Sequence, residues 1–258
     1  MTSFSPSEDA FLGRPPSHPA LGDDAYGAFP WANPLTPSDA AEHSPFTVSI
    51  VRADGGHARD IPVAMGPLLL DEDAEIIAPA DTSALSRARL RIAALPEGLF
   101  IEDLGSDGLF KRVIGQEALI LPCELRFGSH RCLLEELEPF DEKPMEGFWG
   151  APRGTARARL TDLLDGGIVG DTFILKENAP NQVGRERGDI VFHPTDSFIS
   201  SNHARFDVEG SQIILCDLNS SNGTFVRVKG LHPAVHGAQF LMGYYLIKFS
   251  TSHEMLDK

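Results

Sequence analysis

The chain has 258 residues, 42% of them hydrophobic, and a formal net charge of −15. That length holds one large domain or two small ones, and the apolar share is enough for folded cores. The acidic balance disfavours general attraction to nucleic acid or to an anionic membrane, and no apolar run of roughly 18 residues offers a membrane span.

Residues 1–44 are rich in Pro, Ser, Asp and Ala and keep no sustained periodicity. The stretch Pro15–Pro16–Ser17–His18–Pro19 cannot continue regular structure. These residues read as a disordered tail. Met1 to Arg14 lacks the basic start and apolar stretch of a secretory signal, so cytoplasmic residence is the expectation.

From about residue 46 the pattern becomes β-rich. Phe46–Thr47–Val48–Ser49–Ile50–Val51 alternates, and short runs recur at Leu68–Leu70, Ala88–Ile92, Leu99–Asp103, Ala118–Leu121 and Arg131–Leu134. Residues 139–169, broken by several Pro and Gly, read as a linker, with one or two helical turns over Arg157–Leu164. Runs resume at Phe173–Leu175, Ile190–Phe192, His203–Val208, Gln212–Asp217, Thr224–Val228 and Tyr244–Phe249. Many short strands with little helix predict an all-β fold of two tandem β-sandwiches, over 45–138 and 170–252, with a short C-terminal tail at 253–258. An internal repeat supports the division. Leu85–Arg89 resembles Ile199–His203, and Asp103–Gly108 resembles Asp217–Gly223.

The second half carries the chemistry. Val183–Gly184–Arg185, Ser200–Ser201–Asn202–His203 and Asn219–Ser220–Ser221–Asn222–Gly223 all fall at strand ends, where a sandwich clusters its loops. Arg185 offers a rigid fork of donors suited to phosphate or carboxylate. Asn222–Gly223 is a tight-turn signal, since both residues tolerate positive φ. The set is rich in donors and holds no acid to act as a base. It suits holding an anion and a peptide backbone. Residues 170–258 hold 8 basic and 10 acidic residues, so most of the excess acid lies elsewhere.

Other chemistries find less support. The three cysteines, Cys123, Cys132 and Cys216, form no CxxC and suggest neither a disulfide framework nor a zinc site. Cys216 lies in an apolar run and reads as a buried, reduced thiol. Ser200 and His203 lack a Gly-x-Ser-x-Gly elbow, and no helical pair of ligands suggests a metal. Gly166–Gly167–Ile168–Val169–Gly170 lacks the Lys-Ser/Thr end of a phosphate loop. Neither catalysis nor a cofactor is expected.

The order Gly184–Arg185, Ser200-x-x-His203, Asn222–Gly223, flanked by Asp217–Leu218 and Thr224–Phe225, resembles the forkhead-associated (FHA) domain over about 172–250. The resemblance implies a β-sandwich whose apical loops bind phosphothreonine peptides. It implies phosphate contacts from Arg185 and Ser200, with Ser201 and Ser221 beside the ligand. Asn222 would bond the peptide backbone, while Gly184, His203 and Gly223 would support the site. Residues 46–137 resemble the family weakly: Gly66–Pro67 stands for Gly-Arg, Arg89 for His and Asp107–Gly108 for Asn-Gly. That copy is expected not to read phosphate, with Arg87 and Arg89 leaving room for an unusual anion site.

The expected role is an adaptor in Ser/Thr kinase signalling. Its partners would be a phosphothreonine-containing protein and a kinase or its substrate, with no nucleic acid and no membrane. The other reading is a phosphorylation-independent scaffold. Phe198, two before the motif serine, suggests an aliphatic preference three residues after the phosphothreonine. The chain's own Thr36, in the tail, and Thr161, in the linker, are candidate ligands once phosphorylated.

Overall fold

In the computed structural model, the described residues are 46–251, except 53, 57–58, 64–65, 78–85, 96–97, 138–155, 193 and 211. The expected tails at 1–44 and 253–258, and with them Thr36, lie outside these residues. The described chain is nearly all β, as expected, with one 3-10 turn at Asp165–Gly167.

The first strands are β1 (Phe46–Arg52), β2 (Arg59–Val63), β3 (Gly66–Leu70), β4 (Ile76–Ile77), β5 (Leu90–Leu95), β6 (Gly98–Asp103) and β7 (Leu109–Arg112). Their sequences alternate in the manner of half-buried strands: along β1, Phe46, Val48 and Ile50 point inward. Next come β8 (Gln116–Leu119), β9 (Cys123–Phe127), β10 (His130–Glu136), β11 (Ala156–Leu163) and β12 (Val169–Lys176). The last are β13 (Asn181–Gly184), β14 (Ile190–Val191), β15 (Ala204–Glu209), β16 (Gln212–Asp217), β17 (Thr224–Val228), β18 (Leu231–Pro233), β19 (Gln239–Met242) and β20 (Tyr245–Thr251).

These strands form one ten-stranded sheet and two five-stranded sheets. The long sheet runs β12-β11-β10-β9-β17-β7-β19-β20-β1-β2. One short sheet, β18-β6-β5-β3-β4, packs on one half of it around a core that includes Val48, Leu90, Ile101, Leu109, Phe240 and Ile247. The other, β14-β13-β15-β16-β8, packs on the other half around Leu125, Phe127, Leu160, Phe206 and Leu215.

Two sandwiches are therefore present, but not as successive stretches of chain. β18, β19 and β20, from the C-terminal end, pair with β6, β7 and β1 and close the first core. β8, β9 and β10, from the first half, pair with β16, β17 and β11 and close the second. The exchange is reciprocal, and it departs from the expected division at 138 and 170. The two sandwiches meet where β7 and β17 pair antiparallel, Leu109 to Arg112 against Val228 to Phe225.

The expected linker is also shorter. Arg157–Leu164, read as helical turns, falls mostly in β11. Ala158 and Leu160 face the core while Arg157 and Arg159 face out and pair with Glu177 and Glu135. The period is therefore two, not that of a helix. Thr161 lies in this strand with 7% of its surface exposed and pairs with Leu133. A kinase cannot reach it there, so the expectation that phosphorylated Thr161 is a ligand does not hold in this fold.

The exchange has an energetic consequence. Leu125, Phe127, Leu134 and Leu160, all outside 170–258, fill the second core, and burying such a side chain is worth about 1.5–3 kcal/mol. Losing four of them costs about 6–12 kcal/mol, comparable with the whole stability of a domain. A fragment spanning 170–258 is therefore expected to be unfolded by circular dichroism. Two fragments separated at Gly150 are expected to co-purify when co-expressed. A folded, monomeric 170–258 fragment would contradict the shared cores.

Candidate functional site

The rim of the second sandwich is built by the loops β13–β14, β14–β15 and β16–β17. Gly184 begins the first turn because nothing larger fits: a Cβ there would lie 2.2 Å from the Arg187 carbonyl oxygen and 2.3 Å from that of Ser201. That close approach lets the Arg185 amide donate to the Ser200 carbonyl at 3.1 Å, tying the first loop to the second. The Arg185 side chain is about one-third exposed, and its Nε lies 3.3 Å from Glu186 Oε1.

His203 ties the second loop to the third. The Ser200 amide donates to His203 Nδ1 at 3.0 Å, so Nδ1 must be unprotonated. The other ring nitrogen, Nε2, then carries the hydrogen and donates to the Gly223 carbonyl at 3.2 Å. The ring is fully buried, edge-on to Phe127 at 6.0 Å. Burial pushes its pKa below the ordinary value; the Gly223 hydrogen bond and the charges of Asp217 and Asp196 oppose this without cancelling it. Both ring nitrogens serve the backbone, so His203 is not placed as a base for the Ser200 hydroxyl.

The Ser221 amide donates to Ser200 Oγ at 3.1 Å, which leaves the hydroxyl hydrogen to point outward. Asn222 Nδ2 donates to the Phe198 carbonyl at 2.9 Å, and its Oδ1 has no partner among the described residues. Ser201, Ser221 and Asn222 are exposed. Gly223 takes φ +86°, and a Cβ there would meet Arg112 Nε at 2.6 Å, so both shape and space require glycine. The structure thus brings Arg185, Ser200, Ser201, Ser221 and Asn222 to one rim, with Gly184, His203 and Gly223 beneath them.

Asp217 and Thr224, named from sequence only as flanks of the motif, take a supporting role, and other supporting residues were not singled out. Asp217 Oδ1 accepts from Ser220 Oγ at 2.6 Å and from Thr224 Oγ1 at 2.7 Å, fixing both ends of the third loop. Its Asp-x-x-Ser turn pattern was the available signal. The other support comes from the first half of the chain and had no local signal. Ser129, in the β9–β10 hairpin, donates through Oγ to Asp196 Oδ2 at 2.8 Å. His130 Nδ1 lies 2.9 Å from Asp162, and its ring stacks on Phe192 at 4.4 Å. Burial acts to raise the Asp196 carboxyl, but hydrogen bonds from Ser129 and from the Phe198 amide outweigh it and hold the pKa low. An open groove between this hairpin and Thr195–Phe198 adjoins the rim.

The matching rim of the first sandwich is different. The Arg89 amide donates to the Leu70 carbonyl, as His203 does to Val183, and Leu104 donates to Arg89 as Leu218 does to His203. Arg89 therefore stands where His203 stands, as expected. By the same register Asp71–Glu72 stands where Gly184–Arg185 stands. This corrects the match to Gly66–Pro67, which lie at the far end of β3, opposite Ala94 and Ala93. An acid thus replaces the arginine, and a phosphate there would meet like charge at about 1–4 kcal/mol. Arg89 is also spent locally, donating to the Ser86 and Ala88 carbonyls at 3.2 and 3.3 Å.

Comparison with known proteins agrees with the second rim. The FHA domain family matches residues 181–243. The glycogen accumulation regulator GarA of Mycolicibacterium smegmatis (strain ATCC 700084 / mc(2)155) is 29% identical over 118 residues, 45% of this chain and 72% of that protein. No solved structure matches the chain. Residues 181–243 therefore match the FHA domain, and this segment supplies all three loops of the rim.

The depressed pKa of His203 sets a pH dependence. Its neutral form is the folded form, so its contribution is complete above the unfolded value of about 6.5 and is lost as pH falls below it. The parent is expected to lose thermal stability as pH falls below about 6.5. His203→Asn, which keeps an acceptor near Nδ1 but does not titrate, should lose less across the same window. Parallel melting curves for the two proteins would refute the assignment.

Proposed function

We propose that this chain is a non-enzymatic adaptor in Ser/Thr kinase signalling that recruits a partner through a phosphothreonine. Arg185 supplies the guanidinium for the phosphate, with Ser200 Oγ–H beside it. Ser201 and Ser221 flank the ligand, and Asn222, held by the Phe198 carbonyl, presents Oδ1 to the peptide backbone. The observation that carries this reading is the His203 bridge from the Ser200 amide to the Gly223 carbonyl. It has no use in a surface loop that binds nothing, and it holds two of the three binding segments in register. The FHA match over these loops and the similarity to a protein named as a regulator support the same reading.

Phe198 is 58% exposed at the mouth of the groove, where its ring is open to a bound peptide. It favours an aliphatic residue three positions after the phosphothreonine. Phosphorylated Thr36 of the same chain is a candidate ligand alongside an external partner.

Calorimetry with paired peptides tests the function. Unmodified peptide should not bind measurably where its phosphothreonine form does. Arg185→Ala should weaken the phosphorylated form by roughly 2–5 kcal/mol, the cost of truncating one partner of a charge pair, with the melting temperature unchanged. Equal binding of both forms would favour the phosphorylation-independent scaffold.

A further inference from the structure

The outer face of the ten-stranded sheet holds a cluster of cations that the peptide rim does not use. Residues directly opposite one another in register share a face. Arg131 on β10 stands opposite Arg126 on β9, Arg126 opposite Phe225 on β17, and Phe225 opposite Arg112 on β7. Arg112 Nη1 donates to Gln239 Oε1 on β19 at 3.1 Å, and Gln239 stands opposite Lys248 on β20. One row across six strands, roughly 24 Å at the usual strand spacing, therefore presents four cations and no acid.

The row is short of counter-charge in a chain whose net charge is −15. Glu124, one row away, is shared: one oxygen takes Arg131 Nε at 2.6 Å and the other takes Arg227 Nη1 at 2.5 Å. Burial acts to raise the Glu124 carboxyl, yet those two hydrogen bonds and charges hold its pKa low, so it stays ionised and fully used. Arg126 has no acid partner among the described residues. Its guanidinium lies over the Phe110 ring at 5.6 Å, and its Nε is buried without a hydrogen-bond partner. Burial, and then the charge of Arg131, push its pKa below the ordinary value. Directly opposed like charges and an unpaired guanidinium both cost stability. A local conflict of this kind is expected where a surface awaits a ligand.

The row also reaches the peptide rim. Arg112 lies flat against Gly223, next to Asn222, and Arg131 follows His130 in the hairpin that props Asp196.

We propose that this row binds acidic residues flanking the phosphothreonine of the partner, so that rim and row together read one extended acidic phosphopeptide. The proposal rests on the peptide-reading function above. Arg126, with its charge unmatched, is the principal contact, and Lys248 marks the far end.

Fluorescence titration of the full chain tests this. The probes are a phosphothreonine peptide with neutral flanks, the same peptide with four Glu on its N-terminal or its C-terminal side, and an unphosphorylated Glu-rich peptide. One acidic flank should tighten binding about three- to tenfold at low salt, as expected for a few exposed ion pairs. That gain should vanish at high salt and in the double variant Arg126→Gln/Lys248→Gln, while the neutral-flank peptide binds both proteins alike. No gain from either flank, or an equal gain in the variant, overturns the row. If no phosphorylated peptide binds at all, the rim assignment fails, and the row is judged on the Glu-rich peptide alone. Salt-sensitive binding that the variant loses supports it, and no binding overturns it. A gain that appears only after deletion of residues 2–44, which hold six acids and one base, would show that the chain's own N-terminal segment occupies the row, and would overturn the role of the partner.

Discussion

The antiparallel contact between β7 and β17 is the constraint on which the rest of the structure depends. It joins two sandwiches into one ten-stranded sheet and marks the point where each half of the chain crosses to the other core. Its two strands are alike. Gly108 and Gly223, Phe110 and Phe225, and Arg112 and Arg227 are each separated by the same 115 positions. Phe110 faces Arg227 while Phe225 faces Arg112, so exchanging the strands leaves the pairing unchanged. The outward arginines repeat the pattern: Arg227 is held by Glu124 on β9, and Arg112 by Gln239 on β19. This is the geometry of a self-complementary contact contained within a single chain.

That contact explains why the binding rim draws on both halves. The loops that carry Arg185, Ser200 and Asn222 are local to the second half. The wall behind them is not. Gly128 approaches Phe198 and Ile199 so closely that a Cβ would lie 3.0 Å from each, and Ser129 anchors Asp196. The FHA match over 181–243 is continuous in sequence, yet β18 and β19 within it close the other core. A family pattern read along the chain records which residues occupy which loop. It does not record whose strands complete the sheet beneath.

The sequence made the rim legible because its residues obey local rules. Gly184 and Gly223 are forced by close contacts, and the hydroxyls and carboxamide fall in turns next to strands. Strands with bulky alternating residues, such as β1 and β15, were equally plain. β11 was not: Arg-Ala-Arg places only the small Ala158 inward between two long outward residues, which weakens the apolar signal and invites a helical reading. The exchange of strands was illegible for a deeper reason. β10 and β20 bury similar residues, and either would satisfy either core by pattern alone. The choice is set by the path of the short connections after β7 and β17, and no periodicity reports that.

The two rims show how one scaffold separates structure from recognition. The amides of Arg89 and His203 donate to equivalent carbonyls, those of Leu70 and Val183, and their own carbonyls accept from the equivalent amides of Leu104 and Leu218, so the strand-to-loop geometry is shared. What differs is the charge placed upon it. In the second sandwich a neutral imidazole spends both nitrogens on the backbone, and Arg185 stays at the rim, about one-third exposed beside Glu186. In the first, an arginine is consumed in bonding Ser86 and Ala88, and Glu72 takes the outward position. Holding the loop and holding the ligand are thus assigned to separate residues. A change at Arg185 alters what is bound and leaves the loop in place, whereas a change at His203 moves Ser200 and Gly223 together. The first sandwich keeps the frame without the ligand set, and what the first half of the chain contributes to recognition is the β9–β10 hairpin, whose Ser129 anchors Asp196 behind the working rim.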